Sequence, residues 1–336
     1  MTAVAHKPDL AEDEIRRWLW ENYSIDGSLE PLPGERDLNF KCCVEGGGSV
    51  VCKISSGSED LEFLAAQTEV MALLNQRDLA AVPNILASNR GVFMVPLIDG
   101  GREHVGRVLT FVAGRVLARC APYGVPLLRS LGRTVGQLDR ALLGYDNPAF
   151  HHKFDWDLAH AMEVVGRCRE LLPSSRLRDG VDRIRREFAD LAVPRFGQLR
   201  KSVIHNDAND HNVLADGDRV TGLIDFGDMV HTYTICDLAI AVAYAILGAE
   251  DIPLVVKEVA TGYHESMPLE DAELGVLFPM VRMRLALSAC MAAHQMRLRP
   301  GDPYLSISQE PIRRTLPRLL ALDGNEVHAM LKESLA

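Results

Sequence analysis

A chain of 336 residues is long enough for two domains of roughly 150 residues, or for one larger two-lobed unit. Apolar residues make up 47% and charged residues 24%, a balance that supplies a sizeable core and argues against disorder. Asp and Glu outnumber Lys and Arg by 46 to 36, and a formal charge of −10 argues against a dedicated nucleic-acid binder. A small basic nucleotide pocket remains compatible with that charge. The longest purely apolar run, Leu238 to Leu247, is shorter than the roughly 18 residues of a membrane span. The first residues carry no basic segment followed by an apolar one, so no membrane partner and a cytoplasmic location are expected. Seven cysteines, widely scattered and without a Cys-x-x-Cys pair, fit neither a disulfide framework nor a zinc site. They are expected to be reduced thiols in the core.

In chain order, Asp9 and Glu12 suggest a capping box before a helix through Ile15, Leu19 and Trp20. Strand-like stretches follow at Asn39–Val44 and Ser49–Ile54, joined by Gly46-Gly47-Gly48 as a tight turn. Ser58 is a candidate cap for a helix whose stripe runs Leu61, Leu64, Ala65, Thr68 and Met71. Two more strands are expected at Val92–Leu97 and Val105–Val112. After Gly114 the periodicity becomes helical, at Leu127–Leu143, Trp156–Leu172 and Val181–Leu191, and again from Ile235 onward. One hairpin interrupts the helices: Asn212-Val213-Leu214, a turn at Asp216-Gly217, then Val220–Ile224. The chain therefore reads as α+β. A small antiparallel β lobe with one main helix (1–112) precedes a larger, mostly helical lobe (113–336), and a cleft between such lobes is the default place for a ligand.

The chemistry concentrates in Val203-Ile-His-Asn-Asp-Ala-Asn-Asp-His-Asn-Val-Leu214 and in Gly222-Leu-Ile-Asp-Phe-Gly-Asp228. Asp207 lies in a polar loop five residues before Asn212, which begins the first hairpin strand, while Asp225 ends the second. Closing the hairpin at Asp216-Gly217 brings Asn212 and Asp225 side by side with Asp207 near them. Two hard oxygen donors suit Mg²⁺, which takes one or two carboxylates plus substrate phosphates. The remaining carboxylate can accept a proton from a hydroxyl nucleophile, which is the layout of phosphoryl transfer.

His205-x-Asp207-x-x-x-x-Asn212 followed by Asp225-Phe226-Gly227 resembles the catalytic-loop and metal-loop pair of protein kinase-like enzymes. The flanks are similar to the aminoglycoside phosphotransferase/choline kinase family. The stretch His205–Met229, with Cys236-Asp237-Leu238-Ala239 opening a helix, looks most like its hydroxylysine kinase branch. The resemblance covers roughly residues 10 to 330 and implies a protein kinase-like two-lobed fold. It also implies Asp207 as the base, or the group that orients the acceptor hydroxyl, with Asn212 and Asp225 holding Mg²⁺. Lys53 would contact nucleotide phosphates and Glu69 would pair with it. Thr110, Phe111 and Val112 would form the hinge against the nucleobase. The turn Gly34–Phe40, with Asn39, would be the nucleotide loop. His205 and Asp237 would support the catalytic loop, and Asp228 and His231 could line the acceptor pocket.

Departures from the wider kinase pattern narrow the substrate class. No Gly-x-Gly-x-x-Gly loop is present, no Ala-Pro-Glu segment follows Asp225, and Asn206 stands between His205 and Asp207 where protein kinases carry Arg. A protein substrate is therefore not expected. A zinc or manganese cluster of His205, His211 and Asp207 would leave Lys53 and Asp225-Phe226-Gly227 unexplained. Arg282 and Arg284 lie on a late helix, where a solvated face is the expected setting. The implied function is transfer of the γ-phosphate of ATP or GTP to a hydroxyl of a small amine-bearing metabolite, with a 5-hydroxylysine-like amino acid as the first choice. An aminoglycoside O-phosphotransferase, a homoserine-, choline- or ethanolamine-type kinase, and a non-catalytic nucleotide-binding pseudokinase are the alternatives.

Overall fold

The structure is a computed structural model and describes residues 8–34, 37–77, 79, 82–99, 101–299 and 309–336. The chain divides at Ala113/Gly114 into two units. In the first, α1 (Glu12–Tyr23) is followed by β1 (Gly27–Leu32), β2 (Leu38–Val44), β3 (Ser49–Ser55) and α2 (Leu61–Gln76). Then come β4 (Ile85–Leu86), β5 (Val95–Asp99) and β6 (Arg102–Thr110). The strands pair antiparallel in the order β1-β2-β3-β6-β4, and β5 also pairs with β6. Alternation explains the core: Phe40 and Cys42 on β2, Val50, Cys52 and Ile54 on β3 and Val108 on β6 meet Ile15, Trp18 and Leu19 of α1.

Asp9 and Glu12 do not form the cap of α1; Ala11 takes that position, and its N–H donates to Glu14 at 2.9 Å. Asp60, not Ser58, caps α2 by accepting from the Glu62 N–H at 2.8 Å. β1 was not expected. It exposes half of its length, buries only Leu29 and carries Pro31, all of which suit the edge strand of a sheet and blur its pattern.

The second unit opens with β7 (Arg115–Val116) and α3 (Val125–Leu142), then α4 (Ala161–Cys168) and α5 (Ser175–Leu191). Short 3₁₀ turns flank α4 where a single helix from Trp156 to Leu172 was expected. β8 (Lys201–Ile204), β9 (Val213–Asp216), β10 (Arg219–Leu223) and β11 (Val230–Tyr233) follow. The Asp216-Gly217 turn joins β9 to β10 as expected, with Gly217 at φ +54°. β8 pairs antiparallel with β11, a pairing that closes off the loops on either side of the hairpin. The remainder is helical: α6 (Ile235–Ala245), α7 (Ile252–Ser266), α8 (Asp271–Leu298), α9 (Gln309–Ala321) and α10 (Gly324–Leu335).

α3 and α7 approach closely because glycines face each other across them. A Cβ on Gly132 would lie 1.9 Å from the Val259 carbonyl, and one on Gly262 would lie 2.1 Å from that of Arg129. α8 is long and apolar enough to cross a membrane, but 94% of its most apolar window is buried inside the protein, so it is a core helix. All seven cysteines are free thiols, and five of them are buried.

Candidate active site

The loop after β8 and the turn after β10 are held together by backbone before any side chain acts. Ile224 N–H donates to Asn212 O at 2.9 Å, so Asn212 faces Ile224 across the hairpin mouth and Asp225 follows directly. Asn206 and Asp225 sit in the left-handed region, at φ 65° and 63°. Asn and Asp tolerate that region better than other residues with a Cβ, at a cost of about 1–2 kcal/mol each. The surrounding hydrogen bonds hold both there.

Asp207 gathers polar groups from three directions. Asn212 Nδ2 donates to its Oδ2 at 2.6 Å and to its carbonyl at 3.0 Å. Asn209 Nδ2 donates to Oδ1 at 2.9 Å, and Arg284 Nη2 reaches the same oxygen at 3.3 Å. Its side chain remains 21% exposed, so an acceptor can reach it. Burial, then the nearby Asp228 charge, push the Asp207 carboxyl well above its ordinary value, while Arg284 and the Asn209 amide pull it back. Asp225 adds to the same upward pressure, which places Asp207, Asp225 and Asp228 within electrostatic reach of one another.

His205 is fully buried and its two nitrogens have different tasks. Nδ1 accepts the Asp207 N–H at 3.2 Å, which leaves Nε2 to donate to Ile224 O at 3.1 Å. Burial holds its pKa below the ordinary value, in keeping with a neutral ring that ties loop to hairpin. Asp237 is fully buried beneath the loop and accepts the His205 N–H at 2.8 Å and the Asn206 N–H at 2.6 Å. It lies in the first turn of α6 and turns its carboxylate to the loop.

Arg282 and Arg284 overturn the expectation of a solvated face, since both are 2% exposed. α8 is surrounded by neighbouring helices and has no polar side. Arg282 is bound to Glu187 and to the Leu319 and Leu322 carbonyls, away from the loop. Arg284 lies over the Trp156 and Tyr244 rings, donates to the Trp156 carbonyl at 3.0 Å and reaches Asp207. The signal that could have found it is an arginine inside an otherwise apolar helix, where a charge needs a partner.

Other expected residues are placed apart. His231 stacks on His151 with ring centroids 4.2 Å apart, and its electrostatic neighbours are His151, Asp146 and Lys201. It joins that surface group and not the Asp207 cluster. Asp228 is close to the loop, and its carbonyl accepts from Asn206 Nδ2 at 3.2 Å.

In the first unit, Lys53 stands opposite Asn39 in the β2–β3 register, and its Nζ lies 3.0 Å from Asp37. Asn39 Nδ2 donates to the Pro33 carbonyl at 3.1 Å, which shapes the turn; Glu35 and Arg36 of the expected nucleotide loop lie outside the described residues. On α2, Gln67 is buried and accepts from Arg107 of β6 at 3.2 Å, whereas Glu69, about 200° round the helix, is exposed. Of the three expected hinge residues, Thr110 and Phe111 spend their N–H groups on Asn84 O and Ser49 O. Val112 is the one whose backbone carries no such bond among the described residues.

Asn212 and Asp225 fit a hard divalent cation. The Asn212 amide nitrogen is committed to Asp207, so its oxygen is the atom left for a ligand, and Asp225 is an exposed carboxylate beside it. The chain is similar to hydroxylysine kinase of Bos taurus, 28% identical over 329 residues, covering 90% of this chain and 87% of that protein. It is also similar to hydroxylysine kinase of Danio rerio, 26% identical over 345 residues, covering 97% and 96%. Among solved structures, the amicoumacin kinase in complex with AMP-PNP, Ca²⁺ and Ami shares the protein kinase-like fold, with a TM-score of 0.70 at 17% identity over 95% of this chain and 97% of that one. Residues 28–274 match the Phosphotransferase enzyme family, APH, and the chain belongs to that family as a small-molecule kinase that transfers phosphate from a nucleotide to a hydroxyl.

Proposed function

We propose that the acceptor is a hydroxylated amino acid of the 5-hydroxylysine class and that Asp207 takes the proton from its hydroxyl. The observation that carries the acceptor class is chain-long likeness to the hydroxylysine kinases, about nine-tenths of each chain, which includes the helices after residue 235. In this reading the acceptor oxygen bonds to the γ-phosphorus, the bond from that phosphorus to the β-bridging oxygen breaks, and the hydroxyl proton passes to Asp207. Arg284 and the Asn209 and Asn212 amides hold the Asp207 carboxylate in place for that transfer.

Mg²⁺ is the divalent ion that the donor set Asn212 and Asp225 suits, and when bound it supplies charge neutralisation on the phosphates. Lys53 and Asn39 are assigned to the phosphates and the Val112 backbone to the nucleobase, with ATP or GTP as donor. Asp37 beside Lys53 supports this assignment, because it holds the ammonium in one place. His205 and Asp237 keep the loop in register, and Asp228 is assigned to the acceptor side.

The test is product formation by the purified protein with Mg²⁺ and either nucleotide. The acceptor panel contains 5-hydroxylysine, homoserine, threonine, choline, ethanolamine and kanamycin. Phosphorylated 5-hydroxylysine as the best product, identified by mass, is the expected result. Turnover confined to kanamycin or to the alcohols would move the acceptor class, and nucleotide binding without any product would favour the pseudokinase.

A further inference from the structure

Beneath the loop that carries Asp207 lies a second carboxyl with no role in the chemistry above. Asp139 of α3 and Asp237 of α6 are both 0% exposed, and their carboxyl groups are within hydrogen-bond reach of each other. Neither forms an ion pair with Lys or Arg among the described residues. Two ionised carboxylates cannot share such a place, so one must hold a proton. The donors decide which. Asp237 accepts two backbone N–H groups, from His205 and Asn206, and keeps the charge. Asp139 accepts one hydroxyl, from Tyr263 at 2.7 Å on Oδ2, and its Oδ1 is buried with no donor directed at it.

We propose that Asp139 is a neutral carboxylic acid at neutral pH that donates its proton to the Asp237 carboxylate, making it a positioning residue for the catalytic loop. The chain of contact runs Tyr263, Asp139, Asp237, then the His205 and Asn206 amides, and ends at the residue directly before Asp207. The groups facing Asp139 are Tyr263 of α7, Asp237 and Cys236 of α6 and Glu273 of α8, the last neutralised by Arg200. Of these only Asp237 is an unneutralised charge, so the proton on Asp139 answers to Asp237. Burial and that charge hold the Asp139 carboxyl well above its ordinary value.

The test compares the full chain with Asp139→Asn and Asp139→Leu. Asn keeps a donor for Asp237 and an acceptor for Tyr263, whereas Leu keeps neither. An infrared difference spectrum, wild type minus Asp139→Asn at neutral pH, should show the C=O stretch of a buried carboxylic acid. A difference containing only carboxylate bands would overturn the proposal. Because folded Asp139 holds its proton while the unfolded chain releases it above about pH 4, wild type loses with rising pH a contribution to stability that the Asn variant does not have. The melting temperature of Asp139→Asn should therefore gain on wild type between about pH 5 and pH 8. A constant difference would contradict the proposal. Turnover rests in addition on the function proposed above: Asp139→Asn should stay within about tenfold of wild type and Asp139→Leu fall at least about a hundredfold, with rescue absent if the proton is irrelevant. Since the spectrum and the melting series need no acceptor, failure of the acceptor assignment and failure of this proposal are separable.

Discussion

Replacing Arg284 by Met should lower turnover and move its acid limb to higher pH while leaving nucleotide affinity unchanged. Arg284 is 2% exposed and holds Asp207 Oδ1 at 3.3 Å from one side. Met fills a similar volume without the charge. Removing one partner of a fully buried ion pair costs about 3–5 kcal/mol. Here the contact is single and Asp207 keeps 21% exposure, which reduces the expected cost to about 1–3 kcal/mol. Each 1.4 kcal/mol is about one pH unit, or tenfold.

The direction follows from which form works. Asp207 must be ionised to accept a proton, and burial with Asp228 already raises its pKa, so activity is lost as pH falls through that raised value. Without Arg284 the value rises further, and the loss begins at higher pH. The acid limb is expected to move up by roughly one to two units, with kcat lowered most on the acid side of that limb. The assay is kcat against pH for wild type, Arg284→Met and Arg284→Lys, with nucleotide Kd measured separately. Arg284→Met with kcat within about twofold of wild type and the acid limb within about 0.3 pH unit of it would refute the reasoning.

Two stability predictions follow from packing. Asp237→Ala leaves the buried N–H groups of His205 and Asn206 without their acceptor, at about 1–3 kcal/mol each. The melting temperature should drop by at least about 5 °C, as read by calorimetry. A drop under about 2 °C would show that water or a neighbour replaces the carboxylate. Gly132→Ala drives a Cβ to 1.9 Å from the Val259 carbonyl, so α3 and α7 must separate. A loss of about 1–3 kcal/mol in denaturant unfolding is expected, and an unchanged midpoint would contradict the close crossing.

The grouping of Asp207, Asn212 and Asp225 is legible because these residues flank a hairpin whose turn announces itself. Asp216-Gly217 fixes the register, and the register puts Asn212 beside Asp225. The pairing of β8 with β11 is not legible, since the partners lie on either side of that hairpin and each strand is only four residues long. Arg284 was misjudged because helical periodicity on α8 gives no solvated face to read, and burial decides instead. Asp139 had a faint signal: it falls four residues after Val135 on the apolar stripe of α3, where an acid is out of place. The strand position of Lys53 is legible, but its neighbour Asp37 comes from the turn between β1 and β2, and β1 itself is hidden behind Pro31.

The most direct test of the account is Asp207→Asn, measured for nucleotide binding and for product in parallel. The side chain keeps its size and its place between Asn209, Asn212 and Arg284 but loses the ability to take a proton. The account predicts nucleotide Kd within about threefold of wild type and turnover lower by at least about a thousandfold. Turnover within tenfold of wild type would contradict the assignment of Asp207 as the group that accepts the proton from the acceptor hydroxyl.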